Sequence, residues 1–158
     1  MPYAINDACI GCGACVKLCP TRAIAGEKKK AHAIDKALCI ECGACGRVCP
    51  NSAVTDPSGG LCLMVKRSKW EKPVFDTGSC MSCGMCIDAC PADCLAFGEP
   101  EGRKDVHPYP RLRDPKACLG CGFCADECPV GSITMAVPTA GEGDAARPAG
   151  KAGQGSRG

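Results

Sequence analysis

Cys9-Ile10-Gly11-Cys12-Gly13-Ala14-Cys15-Val16-Lys17-Leu18-Cys19-Pro20 is the stretch that decides the fold. Three cysteines stand three residues apart, a fourth follows after a longer gap, and a proline closes the run. The run returns as Cys39, Cys42, Cys45, Cys49 with Pro50, then as Cys80, Cys83, Cys86, Cys90 with Pro91, and last as Cys118, Cys121, Cys124, Cys128 with Pro129. These four runs leave only Cys62 and Cys94 of the 18 cysteines outside the pattern. Working outward, each run carries the same companions. A glycine follows the second cysteine (Gly13, Gly43, Gly84, Gly122), where a missing Cβ lets backbone approach a bulky group and aim N–H donors at it. An apolar residue follows the first (Ile10, Ile40, Met81, Leu119) and is expected to cover the bound group.

Composition says what that group must replace. The chain has 158 residues but only six aromatics, Tyr3, Trp70, Phe75, Phe97, Tyr109 and Phe123. A domain of this size ordinarily fills its centre with large apolar side chains. No stretch of roughly 18 apolar residues is present, so a membrane span is not expected. Met1 to Asp7 has neither the basic start nor the apolar run of a secretory signal. A cytoplasmic location follows as the expectation, and there thiols stay reduced and bind metal rather than form disulfides. Nineteen Lys and Arg against 17 Asp and Glu leave no footprint for nucleic acid or anionic lipid.

The spacing of the runs organises the chain. Asp56-Pro57-Ser58-Gly59-Gly60 is a breaker cluster between the second and third runs. The expected organisation is a first two-run unit at 1–56, a connector at 57–72, a second two-run unit at 73–137 and a disordered tail at 138–158, rich in Ala, Gly and Pro. Within the units, brief strands are expected at Tyr3–Ile5 and Ala53–Thr55, and a hairpin from Ile24–Gly26 to His32–Ile34 around Glu27 to Lys30. In the second unit, strands are expected at Val74–Phe75, Leu95–Phe97 and Ile133–Met135. Short helical turns are expected after the third cysteine of each run. The fold class is α+β: two tandem units with short hairpins and short helices packed around metal clusters.

The runs resemble those of bacterial-type ferredoxins that hold two [4Fe-4S] clusters, and the resemblance covers nearly all of residues 1–137, once per unit. In that family the cysteine before proline ligates the neighbouring cluster. Carried onto this chain, the resemblance implies four [4Fe-4S] clusters: Cys9, Cys12, Cys15 with Cys49; Cys39, Cys42, Cys45 with Cys19; Cys80, Cys83, Cys86 with Cys128; and Cys118, Cys121, Cys124 with Cys90. The alternative is structural zinc, whose sites usually show C-x-x-C pairs across a longer gap. Iron content separates the two.

Other residues carry less. Cys94 stands four positions after Cys90, where the other runs have Ala23, Ala53 and Ser132, and is read as a small packing residue, with a ligand role as the alternative. Cys62, within Leu61 to Val65, is read as part of an apolar packing segment. Lys66 to Lys72 is a basic stretch around Trp70, read as a solvated connector whose tryptophan caps a cluster or the unit interface; a docking surface for an acidic partner is the alternative. His32 and His107 are read as structural or exposed.

No nucleotide loop, nucleophile–base set or catalytic pocket signature is present, so the chain is not expected to be an enzyme on its own. The resemblance implies electron transfer, one electron per cluster, as the iron–sulfur subunit of a multi-subunit oxidoreductase. Its expected partners are a catalytic oxidoreductase subunit and a flavin or ferredoxin redox partner, and a tungsten or molybdenum aldehyde oxidoreductase is the preferred complex. Many molybdenum-type subunits pair the first run with the fourth and the second with the third; four regular runs and a short first step instead suit tandem pairing. A free soluble polyferredoxin is the alternative, and a mild basic excess in residues 1–72 favours the docked subunit.

Overall fold

The computed structural model describes residues 2–99 and 106–139. The expected disordered tail at 138–158 lies outside the described residues from 140 onward, as do residues 100–105 in the charged, Gly- and Pro-rich stretch from Gly98 to Pro108.

Regular structure is short because the cysteine loops occupy most of the chain. Among the described residues, eight strands form four antiparallel pairs, and four α-helices of four or five residues carry the third cysteines. Strand β1 (Ala4–Ile5), before the first run, pairs with β4 (Val54–Thr55), after the second. Strands β2 (Ile24–Ala25) and β3 (Ala33–Ile34) form the hairpin between those runs. The C-terminal half repeats the arrangement: β5 (Lys72–Phe75) pairs with β8 (Ile133–Ala136), and β6 (Leu95–Phe97) with β7 (Pro110–Leu112). Each pair joins the start of one run to the end of its neighbour, so the first run is tied to the second and the third to the fourth.

The helices α1 (Ala14–Leu18), α2 (Ala44–Val48), α3 (Met85–Asp88) and α4 (Phe123–Asp126) start one residue after the predicted glycines and before the third cysteine, earlier than the sequence suggested. Gly13, Gly43, Gly84 and Gly122 are the N-caps, with φ between 70° and 87°, a conformation that L side chains resist. Strand β7 has no counterpart in the predicted set. Pro110-Arg111-Leu112 opens on a proline, which argues against a strand, and it is a strand because it pairs with β6.

Cysteine makes up much of the interior. The C-terminal core packs Cys86, Cys94, Cys118 and Cys124 with Leu95 and Ile133. The N-terminal core packs Cys15 and Cys45 with Ile24 and Val54. A third cluster, Ala44, Trp70 and Leu119, joins the halves. Leu61, Leu63 and Met64 are exposed, which corrects the reading of that segment as packed. Only Cys62 turns inward there, against the N-terminal core.

Candidate iron–sulfur centres

Each run builds its loop with the same backbone devices. An Asx turn opens it. The carboxylate or amide oxygen of Asn6, Asp35, Asp76 or Asp114 accepts from the N–H two residues on, at 2.8 to 3.0 Å. The carbonyl of the same residue accepts from the first cysteine's N–H. Three residues per run then take the left-handed conformation: the second after the first cysteine (Gly11, Glu41, Ser82, Gly120), the capping glycine, and the third after the fourth cysteine (Arg22, Ser52, Asp93, Gly131). Lys29 and Gly59 are the only other left-handed residues among those described. Turns of this kind point successive N–H groups to one side and make a concave seat for an anion.

The last left-handed residue also sets the crossing. It turns the chain so that the next N–H reaches back to the fourth cysteine: Ala53 N–H to Cys49 Sγ and Ser132 N–H to Cys128 Sγ, both at 3.3 Å. The carbonyl of that next residue accepts from the Asx residue of the neighbouring run. Asn6 N–H donates to Ala53 (2.8 Å), Asp35 to Ala23 (2.7 Å), Asp76 to Ser132 (2.8 Å) and Asp114 to Cys94 (3.2 Å). The fourth cysteine of one run is thereby fastened beside the first three of the other.

Four cavities result. Cys9, Cys12, Cys15 and Cys49 line the first, with about 350 Å³ of space. Cys19, Cys39, Cys42 and Cys45 line the second, about 340 Å³. Cys80, Cys83, Cys86 and Cys128 line the third, about 270 Å³, and Cys90, Cys118, Cys121 and Cys124 the fourth, about 300 Å³. The structure therefore brings together each of the four predicted sets. All 18 cysteines are free thiols.

The donor set fits a cluster better than a single ion. Zinc draws its sulfurs to about 2.3 Å. Here the sulfurs stand around an open space, and among the described residues no group of three His, Cys, Asp or Glu side chains could hold one ion. Burial pushes the Cys45 and Cys124 thiols up to about 12, so ligation there displaces protons.

Side chains near the run cysteines add detail that the spacing did not show. His32 is buried, lines the first cavity and has Nδ1 3.9 Å from Cys9 Sγ, so it is structural rather than exposed. Ser132 Oγ lies 3.3 Å from Cys128 Sγ. Cys94 is buried and lines the fourth cavity, with its sulfur 3.3 Å from Cys90 Sγ. The neighbouring Cys94 holds the Cys118 thiol below its usual range, while Cys94 itself is pushed up. It is a packing residue in a position to donate to the Cys90 sulfur. The predicted cover is uneven: Leu119 is 4% exposed, but Ile10 and Met81 are 55% and 60% exposed.

Three models of 4Fe-4S dicluster domains match the chain, at residues 4–55, 79–132 and 38–95. This is a ferredoxin-type iron–sulfur protein with more than one cluster. The ferredoxin-type chain is 57% identical over 38 residues to a ferredoxin of Acetoanaerobium sticklandii, covering 23% of this chain and 64% of that one. It is 50% identical over 32 residues to one subunit of an ion-translocating oxidoreductase complex of Magnetococcus marinus, covering 20% of this chain and 18% of the relative. It thus spans less than two thirds of either relative. Among solved structures, it is similar to a chain of the formate dehydrogenase–heterodisulfide reductase–formylmethanofuran dehydrogenase complex of Methanospirillum hungatei. That likeness has 22% identity and a TM-score of 0.41, over 88% of this chain and 54% of that one. Among its described residues, no helix is long and apolar enough to cross a membrane.

Proposed function

We propose that the chain holds four [4Fe-4S] clusters in two units, 1–56 and 73–137, joined by the connector 57–72, and passes electrons as the iron–sulfur subunit of an oxidoreductase complex. One observation carries the reading: four separate cavities, each lined by three cysteines of one run and the last cysteine of its neighbour. A bound [4Fe-4S] cluster supplies reversible one-electron oxidation and reduction. The chain's own residues hold it, turn backbone N–H groups toward it, and limit water around it, which are the protein's means of setting its potential. Four oxidised clusters with their thiolates would change the formal net charge from +2 to about −6.

The subunit role is supported by likeness to a protein named as a subunit of an oxidoreductase complex. A flavin or ferredoxin is the redox partner of the proposed subunit, and a tungsten or molybdenum aldehyde oxidoreductase is the first catalytic partner to seek. The likeness to a protein named ferredoxin favours the second reading, a free carrier. Anaerobic purification from the native source decides between them. A catalytic subunit that co-purifies in fixed ratio is expected. Recovery of the chain alone, loaded and stable, gives the free carrier instead. Zinc in place of iron sinks both readings.

A further inference from the structure

The two halves meet along one seam, and that seam borders only two of the four cavities. Leu119, which covers the fourth cavity, packs against Trp70 and against Ala44, a wall of the second. Trp70 is 1% exposed. Arg47, in α2 of the second run, reaches across. Its Nη1 donates to the carbonyl of Gly120 at 2.8 Å, and its Nη2 donates to Leu119 at 2.8 Å and to Cys42 at 2.9 Å. One guanidinium thus joins the ligand loop of the second cavity to that of the fourth. It lies 5.2 Å from the centre of the Trp70 ring, which adds a cation–π contact. The same place in the other runs is taken by Lys17, Asp88 and Asp126, none of which has a planar fork of donors. The far cavities differ. Ile10 and Cys12 on the first, and Met81 and Cys83 on the third, are exposed.

We infer that Arg47 is the positioning residue of an electron bridge between the halves: the second and fourth cavities form the inner pair, and the first and third are the ends where electrons enter and leave. The inference rests on the four-cluster reading. It makes the order of transfer first, second, fourth, third, which differs from the order of the runs in the chain. An electron that crosses the seam leaves one cluster oxidised by one unit and its neighbour reduced by one, with no bond made or broken and no proton moved. A fixed cation beside both inner sites favours the more negative, reduced form of each, and its hydrogen bonds hold the two loops at one separation.

The test uses the full-length loaded chain and its Arg47→Ala and Arg47→Lys variants. Iron is counted first. About 16 atoms per chain are expected in all three, and a wild-type count well below that sinks the four-cluster reading itself. With the count full, redox titration followed by electron paramagnetic resonance reads the seam. In Arg47→Ala two of the four midpoint potentials should fall, and they should belong to the signals lost in Cys42→Ser and Cys121→Ser. The magnetic interaction between those two reduced clusters should weaken. In Arg47→Lys the charge remains and the fork is lost, so the potentials should return toward wild type while the interaction stays weakened. A shift confined to one cluster, a shift of all four or none, or an interaction unchanged in both variants overturns the inference. If Arg47→Ala does not load, the unchanged interaction in Arg47→Lys alone does so.

Discussion

At the scale of single residues, the crossed arrangement makes a prediction that only a pair of substitutions can test. Cys19 is four residues from Cys15 in sequence, yet it lines the cavity of Cys39, Cys42 and Cys45. Two lesions in one site should cost one cluster, and lesions in two sites should cost two. Cys19→Ser with Cys42→Ser should therefore lose no more iron than either change alone. Cys19→Ser with Cys12→Ser should lose about twice as much. The opposite pattern in iron content would show local ligation. Cys94 gives a second prediction. Its sulfur stands 3.3 Å from Cys90 Sγ. Removing a donor to ligand sulfur makes the reduced state less favourable. Cys94→Ala should keep the full iron count and lower one midpoint potential. A lost cluster would make Cys94 a ligand.

At the scale of elements, the loops stand or fall on residues that accept a left-handed backbone, and two glycines separate the cost of conformation from the cost of space. Gly13 and Gly120 both have positive φ, +75° and +63°. A Cβ on Gly13 would meet nothing within 4 Å, whereas one on Gly120 would lie 2.8 Å from the Glu71 carbonyl oxygen. Gly13→Ala should cost only the conformational penalty, about 1–2 kcal/mol. Gly120→Ala adds a clash with backbone that cannot swing aside, so it should cost more, at the upper end of about 1–3 kcal/mol or beyond. The rate at which visible absorbance bleaches on warming reads the difference in the loaded chain. Equal rates for the two variants would refute the distinction. The same elements show what the sequence made legible. The capping glycines and the Tyr3–Ile5 and Ile24–Ile34 strands could be read from local pattern, because a turn or a short alternation is a local property. The Asx turns at Asn6, Asp35, Asp76 and Asp114 were also local and repeated, but their distance from the first cysteine is three residues in one run and four in the others, which hides the repeat. Strand β7 was not legible because it opens on a proline, and the reach of Arg47 to Gly120 was not because its partner lies 73 residues away and no local pattern marks it.

At the scale of the whole molecule, the balance of forces depends on what the cysteines hold. No strand or helix among the described residues exceeds five residues, and a helix that short has no stability of its own. Each half is close to the size at which apolar burial alone becomes marginal. The buried side chains are small: four of the six in the C-terminal core are cysteines, and the largest fully buried side chains among the described residues are Trp70, Val54 and Cys94. Of these, Trp70 belongs to the seam rather than to either half's core. The free energy that orders the loops must then come largely from ligation, as in small metal-dependent domains that are unfolded without metal. Stripping the iron with a chelator under reducing conditions should collapse the circular dichroism to that of an unfolded chain, in both halves. Restoring iron and sulfide anaerobically should bring back colour and dichroism together. If the stripped chain keeps a native spectrum and a cooperative thermal transition, its apolar contacts suffice, and the clusters are passengers in a preformed fold. The seam sharpens the expectation. Arg47 holds two ligand loops through their backbone carbonyls, and those carbonyls are in place only when both loops are wound. Losing the clusters of one half should therefore loosen the other, and the four-cysteine substitution of the second cavity should lower the bleaching temperature of the fourth more than that of the third.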